Sequence, residues 1–238
     1  MPGPRLDPEE WNRIHDGPAD ARSQLFRRGL ALARDACLEH SRPGEIWADV
    51  GCATGHLAIE LLRSGRRVVG LDIDLRLLRA TRIRAAQGLP LAVADALRLP
   101  LRSRSLDGIL AVSLLGYLEE PGEFFREAFL ALRPGGHLLA TCTNRSGMLR
   151  RASRPLGPIS AGTADGAAGI QLHSAACLER SLQGTGFVLL PHRFYNFYAL
   201  WGGWAFPPAG LSGALEALCP APLGRGLARN ILFRARKP

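Results

Sequence analysis

The sequence has almost no lysine, no long apolar run and no paired cysteine motif. Lys237 is the only lysine among 30 basic residues. No apolar stretch approaches the roughly 20 residues of a membrane-spanning helix, and the N-terminus MPGPRLDPEEW lacks the apolar segment of an export signal. The five cysteines are scattered without a C-x-x-C pair, which argues against a zinc site. These absences predict a cytoplasmic protein with reduced thiols and no bound metal.

The composition is that of one α/β domain with a full core. The chain has 238 residues, of which 47% are hydrophobic, and a formal net charge of +9. Such a charge raises the question of nucleic-acid binding. The arginines, however, are spread over many predicted helices, and the densest cluster, RLLRATRIR, reads as the solvated side of an amphipathic helix. A nucleic-acid partner is therefore not expected.

Residues 46–58, IWADVGCATGHLA, predict a strand, a tight turn and a helix. The apolar run before Val50 is typical of a buried parallel strand. The small residues 51–55 form the turn, and apolar positions at helical spacing follow His56. This arrangement places free backbone N–H groups and a helix N-terminus at the carboxyl edge of a sheet, where open α/β folds bind ligands.

The spacing within this turn narrows the choice of ligand. A dinucleotide site requires Gly-x-Gly-x-x-Gly, whereas the chain has Gly51, Ala53 and His56 at these positions, so a nicotinamide oxidoreductase is disfavoured. The turn also lacks the Lys-Ser/Thr pair of a phosphate-binding P-loop. Asp49, at the end of the strand, instead suits a cationic ligand.

Four stretches in order resemble class I S-adenosylmethionine-dependent methyltransferases. They are DVGCATG at 49–55, VVGLDID at 68–74, AVADALRLPL at 92–101 and the long stretch 105–140 that contains a Pro-Gly-Gly turn. The resemblance covers roughly residues 43–143. It is greatest to the small-molecule enzymes typified by ubiquinone and menaquinone biosynthesis methyltransferases.

The resemblance implies a fold and a domain organisation. We expect an α/β, Rossmann-like, seven-stranded and mostly parallel sheet with helices on both faces. Residues 1–42 would form an N-terminal helical lid. Residues 43–238 would form the methyltransferase domain, with variable substrate segments at 144–173 and 194–222.

The resemblance also implies S-adenosylmethionine as cofactor and assigns residues to it. Asp72 would accept hydrogen bonds from the ribose hydroxyls, and Ile73 would lie against the adenine ring. Asp95 would bind the adenine amino group, although a strand-end turn residue is the alternative. Cys52 reads better as a small residue in a crowded turn than as a nucleophile. The full predicted set is Asp49, Gly51, Cys52, Ala53, Gly55, Asp72, Ile73, Asp95, Ala96, Ser113 and Tyr117.

Local signals predict several element boundaries. Asp7, Asp74 and Ser174 each precede a helical pattern as N-caps. A helix through Ile14 is predicted to break at Gly17-Pro18. Further helices are predicted over 19–40, 121–132 and 209–219, and strands over 67–71, 89–94, 106–112, 137–142 and 228–235, with another starting at 186–187.

The aromatic segment FYNFYALWGGWAFPP at 194–208 has two interpretations. Alternate residues of a strand there would face the core. The two tryptophans around Gly202-Gly203 do not read as strand or helix interior, which favours an acceptor pocket wall or a peripheral membrane contact. Trp11 and Phe26 of the lid are candidates for substrate contact, with packing as the alternative.

The predicted reaction is in-line methyl transfer to a small, apolar or aromatic and lipophilic acceptor at O, C or N. No catalytic residue is assigned. A general base, where one is needed, would come from His15, His173, His192 or Tyr117 rather than from His56 or His137. An RNA methyltransferase and a catalytically silent cofactor-binding or partner-binding protein remain alternatives, and the oligomeric state is open.

Overall fold

The computed structural model describes residues 7–17, 21–86, 88–152, 170–201, 204–206 and 209–238. Seven strands form its main sheet in the order β3-β2-β1-β4-β5-β9-β6. Strands β1 to β5 are parallel, and β9 runs antiparallel between β5 and β6. The strands are β1 Ile46–Val50, β2 Arg67–Asp72, β3 Leu91–Val93, β4 Leu106–Ala111, β5 Leu132–Thr143, β6 Val188–Tyr195 and β9 Asn230–Arg236. The predicted seven-stranded, mostly parallel sheet is confirmed.

Helices cover both faces of this sheet because the central strands are apolar on both sides. Trp47 belongs to one buried cluster and its neighbour Ala48 to another, as alternation along a strand requires. Helices α2 and α3 pack into the first cluster, and α5 and α7 into the second. The helices are α1 Pro8–Asp16, α2 Ala21–His40, α3 His56–Arg63, α4 Leu75–Arg84, α5 Pro121–Ala131, α6 Met148–Ala152, α7 Ala175–Thr185, α8 Ala209–Leu218 and α9 Ala221–Leu227.

The predicted N-caps are confirmed. Asp7 Oδ1 accepts from the Glu10 amide at 2.8 Å, Asp74 Oδ1 from the Arg76 amide at 2.8 Å, and Ser174 Oγ from the Cys177 amide at 3.2 Å. Each side chain satisfies an N–H group that the first helical turn leaves unpaired.

None of the helices in the part of the chain that the structure describes has the length and apolar character of a membrane span.

The start of β5 was predicted wrongly. The predicted helix 121–132 ends at Ala131, and β5 begins at Leu132 rather than at residue 137. Leu132 pairs with Leu106, and the Pro-Gly-Gly segment forms a bulge before the ladder resumes at His137. The backbone of Lys237 holds this bulge, because its carbonyl accepts from Gly135 and its amide donates to Gly136, each at 2.9 Å.

Four further boundaries also differ from prediction. β3 spans only Leu91–Val93, β4 ends at Ala111, β6 begins at Val188, and the last strand is Asn230–Arg236. Within the predicted loop after residue 144, Met148–Ala152 form helix α6, while residues 153–169 lie outside the described residues.

The aromatic segment contains strand where none was predicted. Ala199–Trp201 forms β7 and Trp204–Phe206 forms β8, and Trp201 pairs with Trp204 in an antiparallel hairpin. A Gly-Gly dipeptide between two aromatic runs is a hairpin signal, which the sequence interpretation missed. Tyr195, Phe197 and Tyr198 are buried, so the described side chains of this segment pack in the core. The pocket-wall interpretation of Trp201 and Trp204 lies outside the described side chains.

Candidate functional site

A cavity of about 230 Å³ lies at the carboxyl ends of the parallel strands. It lies beside the switch point between β1 and β4, from which the strand order continues to β2 and β3 on one side and to β5 on the other, and this is the position at which this class of sheet binds ligands. Eight of the eleven predicted cofactor residues line it: Gly51, Ala53, Asp72, Ile73, Asp95, Ala96, Ser113 and Tyr117. Trp11 of helix α1 lines it from the opposite side.

A second cavity of about 40 Å³ adjoins the first. The two share Trp11, Gly51, Ala53, Val112 and Ser113 as lining residues. The smaller cavity adds two more predicted residues, Asp49 and Cys52, together with His15 and Phe26 of the N-terminal helices. Gly55 lines neither cavity.

The glycine turn has a backbone that few side chains tolerate. Gly51, Ala53 and Gly55 have φ angles of 75°, 47° and 76°. A Cβ atom on Gly55 would lie 2.3 Å from Thr81 Cγ2, so this position excludes any side chain. The alanine at position 53 is held in the left-handed region, and such strain is concentrated at functional sites.

Asp72 fixes this turn against β2. Its Oδ2 accepts from the Ala53 amide and its Oδ1 from the Asp74 amide, both at 2.9 Å. Asp72 also lines the larger cavity, where a carboxylate can accept hydrogen bonds from a ligand diol. Ile73, the next residue, is 49% exposed and lies at the cavity wall, where an exposed apolar side chain suits an aromatic ring.

Asp49 is the buried carboxyl group of the site. Burial raises its pKa to about 7, the charge of Asp72 adds to this effect, and a hydrogen bond from the Ala58 backbone opposes it. A raised pKa indicates a carboxylate that lacks a positive partner. A cationic ligand group in the smaller cavity would supply one.

Cys52 packs beneath the turn. A Cβ atom on Gly70 of β2 would lie 3.1 Å from its Sγ. Burial raises the pKa of this thiol well above its ordinary value. The thiol therefore stays protonated at neutral pH, in agreement with a packing role.

Asp95 and Ala96 follow β3. Asp95 is exposed at the cavity rim, and its Oδ1 accepts from the Leu97 amide at 2.9 Å. This contact is that of a strand-end turn residue, and it leaves the second oxygen available to a ligand. Ala96 is buried beside it and lines the cavity through small apolar surface.

Ser113 and Tyr117 lie where the two cavities approach β4. Ser113 has a φ of 59°, and its amide donates to Thr141 Oγ1 at 2.8 Å. Tyr117 lies on a single 3₁₀ turn, Leu115–Tyr117. His173 Nε2 donates to the carbonyls of Leu115 and Leu118, both at 3.1 Å. His173 thus holds the Tyr117 turn in place, a contact that the sequence did not indicate.

The remaining base candidates lie in different places. His15 lines the smaller cavity. His192 lies away from both cavities, where its Nε2 is 3.4 Å from Glu179 Oε1. His137 stacks on His40 with ring centroids 4.8 Å apart. Burial lowers the pKa of His15 to about 3, and the neighbouring His56 adds to this effect, so His15 is a neutral imidazole at physiological pH.

Helix α1 is joined to the site by a group of side chains that the sequence did not reveal. Asp16 Oδ1 lies 3.2 Å from His56 Nε2, and Asp16 Oδ2 accepts from Arg84 at 2.7 Å. Arg84 also donates to Asn12 at 2.7 Å. The His15 and His56 rings are 4.4 Å apart. These contacts join residues 40 to 72 positions apart, and no local pattern signals them.

The chemistry of the lining fits S-adenosylmethionine better than a dinucleotide. The described lining of the larger cavity includes two aspartates but neither lysine nor arginine. A pyrophosphate would find no cation there, whereas a diol, an amino group and a sulfonium find carboxylates and apolar surface.

A sequence profile described as a methyltransferase domain matches residues 48–140. The chain contains a methyltransferase domain. The profile begins within β1 and ends within β5, so it covers all four strands whose carboxyl ends form the cavities. The methyltransferase domain and the cofactor predicted from the four motifs are confirmed.

Named proteins resemble this chain in sequence. A demethylmenaquinone methyltransferase of Corynebacterium kroppenstedtii is 34% identical over 97 residues, which are 41% of this chain and 41% of that protein. A ubiquinone biosynthesis O-methyltransferase of Methylobacterium sp. is 28% identical over 165 residues, 60% of this chain and 66% of that protein. The chain thus spans between 41% and 66% of the length of these curated relatives.

A solved structure agrees with the fold. The S-adenosylmethionine-dependent methyltransferase of Mesorhizobium loti superposes with a TM-score of 0.65 at 22% identity. The match covers 88% of this chain and 98% of that one. The likeness in fold therefore extends past residue 140, into the part of the chain that the sequence profile does not match.

Proposed function

We propose that this protein transfers a methyl group from S-adenosylmethionine to a small, apolar or aromatic acceptor. The observation that carries the proposal is the pair of adjoining cavities beneath helix α1. One is bordered by Asp72, Ile73 and Asp95, and the other by the buried Asp49. Carboxylates and apolar surface together match the polar and aromatic parts of this cofactor.

Each aspartate would bind a different part of the cofactor. Asp72 would accept from the ribose hydroxyls, because its carboxylate lines the larger cavity and a carboxylate oxygen can accept more than one hydrogen bond. Asp95 would accept from the adenine amino group. Asp49 would pair with the ammonium group of the methionine part. Its pKa is raised by burial and by the charge of Asp72, and a nearby cation would stabilise its charged form.

The bound cofactor supplies a methyl group on a sulfonium, which is a good leaving group. The protein then has mainly to align the acceptor and exclude water, which is worth about 7–11 kcal/mol of the barrier. Trp11, His15 and Phe26 close the site from above. Ser113 and Tyr117 border it from β4. His15 or Tyr117 would take a proton from an acceptor that needs deprotonation.

A small lipophilic acceptor fits these surroundings. The wall of the larger cavity around Ser113 and Tyr117, where the acceptor would meet the methyl group, is apolar and includes Val112, Leu114 and Leu118. The relatives named for demethylmenaquinone and for ubiquinone biosynthesis support an acceptor of this class.

Calorimetry tests the cofactor assignment. We expect S-adenosylmethionine to bind and NAD not to bind. Asp72→Asn should weaken binding by about 1.5–3 kcal/mol, the value of hydrogen bonds to a charged group. Asp35→Asn, which alters an exposed aspartate on α2, is the matched control and should leave binding unchanged. Tighter binding of NAD than of S-adenosylmethionine would refute the assignment.

Product formation tests the acceptor class. The protein is incubated with methyl-labelled S-adenosylmethionine and separate pools of phenols, quinols, amines and total tRNA. We expect label in the phenol or quinol pool. Label in tRNA alone would contradict the proposal and establish the RNA alternative. Cofactor binding without label in any pool or in host extract would establish the silent binding protein.

A further inference from the structure

Helix α8 is polar on its buried side and apolar on its exposed side. Ser212 and Glu216 are the only polar residues of this helix, AGLSGALEAL. Ser212 Oγ accepts from the Phe197 amide at 2.9 Å, and Glu216 Oε1 accepts from the Asn196 amide at 3.0 Å. Glu216 Oε2 also accepts from Arg28 Nε at 2.9 Å. These bonds fix which side of α8 faces the protein.

The outer side consists of leucines at helical spacing. Leu211, Leu215 and Leu218 are 55%, 38% and 82% exposed. Their i, i+4, i+7 spacing places them in one stripe. Leu223 of α9, 57% exposed, continues the apolar surface beyond Pro220. Soluble helices show the opposite arrangement, and contiguous exposed apolar surface marks an interaction site.

The charge of the surrounding chain indicates what covers this stripe. Residues 144–238 contain eleven of the 30 basic residues but only three of the 21 acidic ones. This part of the chain therefore carries +8 of the formal net charge of +9. Glu179 and Glu216, two of those acids, are in ion pairs with Arg225 and Arg28. The third, Asp165, lies outside the described residues.

Exposed arginines lie on the elements packed around this surface. α8 and α9 both pack on β6, and α6 packs against α9. Arg145 and Arg151, at and beside α6, are exposed, and so is Met148 on the same helix. Exposed apolar side chains with exposed arginines on a nearby element complement the acyl boundary and the headgroups of an anionic bilayer.

We propose that α8, with the start of α9 and the arginines of α6, docks this protein on the surface of an anionic lipid bilayer. A second copy fits less well, because it would bring two segments of charge +8 together. A nucleic acid would leave the leucines without partners, since phosphates bind arginine and bases stack on aromatic rings. The proposal does not depend on the methyltransferase activity.

Vesicle sedimentation of the full chain tests this surface. Vesicles of phosphatidylcholine alone are compared with vesicles that contain one part phosphatidylglycerol to three parts phosphatidylcholine. We expect binding to the anionic vesicles that weakens at high salt. L211Q/L215Q/L218Q should lower the binding constant by about tenfold or more, because the apolar stripe is lost. Arg151→Gln should lower it about fivefold.

The control is I83Q/L130Q, which alters exposed apolar side chains on α4 and α5 and should bind vesicles like the unaltered protein. Calorimetry with S-adenosylmethionine and thermal melting verify that each variant is folded. Equal binding by the α8 variant and the unaltered protein, or no preference for anionic vesicles, would overturn the proposal. So would a dimer that L211Q/L215Q/L218Q dissociates, or binding to total RNA in place of vesicles.

Discussion

Asp49 is expected to couple cofactor binding to pH. Its pKa of about 7 in the free protein means that a proton occupies this carboxyl group at lower pH. A cationic ligand requires the charged form, so binding must expel that proton. We expect the affinity for S-adenosylmethionine to fall by up to about tenfold per pH unit below 7. Calorimetry in buffers of different ionisation enthalpy measures the released proton. A dissociation constant that stays constant between about pH 5.5 and 7 would contradict this role.

The same residue makes the ligand-free protein less stable at high pH. The folded pKa of Asp49 lies above the ordinary value of 3.8, so the folded state binds more protons than the unfolded state between the two values. Its contribution is therefore favourable at low pH and is lost as the pH rises toward 7, by about 1.36 kcal/mol per unit. Asp49→Asn should raise the melting temperature more at pH 8 than at pH 5 and should abolish the pH dependence of binding.

Gly55 is required by geometry although it lines neither cavity. Gly55→Ala combines a φ of 76° with a Cβ atom 2.3 Å from Thr81 Cγ2. We expect a loss of about 3 kcal/mol in unfolding free energy from strain and overpacking. Gly184→Ala is the matched control, because nothing lies within 4 Å of a Cβ at this helical position. It should stabilise the protein by up to about 1 kcal/mol. Denaturant unfolding measures both.

Local signals made some residues of the site predictable and others not. Asp49, Asp72 and Asp95 each follow an apolar strand run, and parallel strands bring their carboxyl ends to one edge. Asp16 and Arg84 give no such signal, because their partners come from remote positions on α1 and α4. His173 is a candidate general base in the sequence. Its hydrogen bonds to the carbonyls of Leu115 and Leu118 depend on the fold, so no local pattern predicts them.

Among the elements, helix α1 is expected to undock in acid. His15 is packed against His56, with Arg27, Arg84 and Asp16 around it, and its folded pKa of about 3 lies below the ordinary 6.5. A lowered histidine pKa contributes stability above 6.5, and this is lost as the pH falls toward 3. The docked helix should therefore weaken by up to about 1.36 kcal/mol per pH unit below 6.5.

Hydrogen exchange measures this undocking. Amides of α1, corrected for intrinsic rates, should exchange faster at about pH 5.5 than at about 7.5, while those of α7 remain protected. His15→Gln should reduce the pH dependence. Equal protection of α1 at both pH values would show that His15 does not control docking.

The elements that the sequence predicted well are those with their own start and stop signals. Asp7, Asp74 and Ser174 cap helices in the structure as they do in the pattern. The bounds of helix α8 agree with the prediction to within one residue. The side of α8 that faces the protein does not follow from the sequence, because helical periodicity would place the apolar side against the core. Ser212 and Glu216 decide the opposite, because both accept hydrogen bonds from backbone amides in the segment directly after β6.

For the whole molecule, cofactor binding should appear as thermal stabilisation. A ligand that binds only the folded state at 100 times its dissociation constant adds about 2.7 kcal/mol. For a chain of this size, that corresponds to a rise of about 5–10 °C in melting temperature. S-adenosylmethionine should produce this rise, and NAD should not. Asp72→Asn should remove most of it, and an equal shift with both ligands would point to non-specific stabilisation.

The overall sheet came from the resemblance more than from the pattern of single strands. Periodicity alone indicates buried strands, but it does not indicate that β9 enters between β5 and β6. The order depends on pairings such as Ala140 with Phe233, which are distant in sequence. The extra length of β5 depends in the same way on the backbone of Lys237.

The antiparallel pair of β6 and β9 gives the chain a modular plan. Tyr195 pairs with Asn230 at the end of the ladder. The segment between these two residues therefore begins and ends at neighbouring positions of the main sheet. This segment includes α8 and α9 but no strand of the main sheet. Insertions, deletions or replacements within it leave the main sheet unchanged. Changes in this segment can thus alter the cellular location or the binding partners of the protein while the main sheet stays the same.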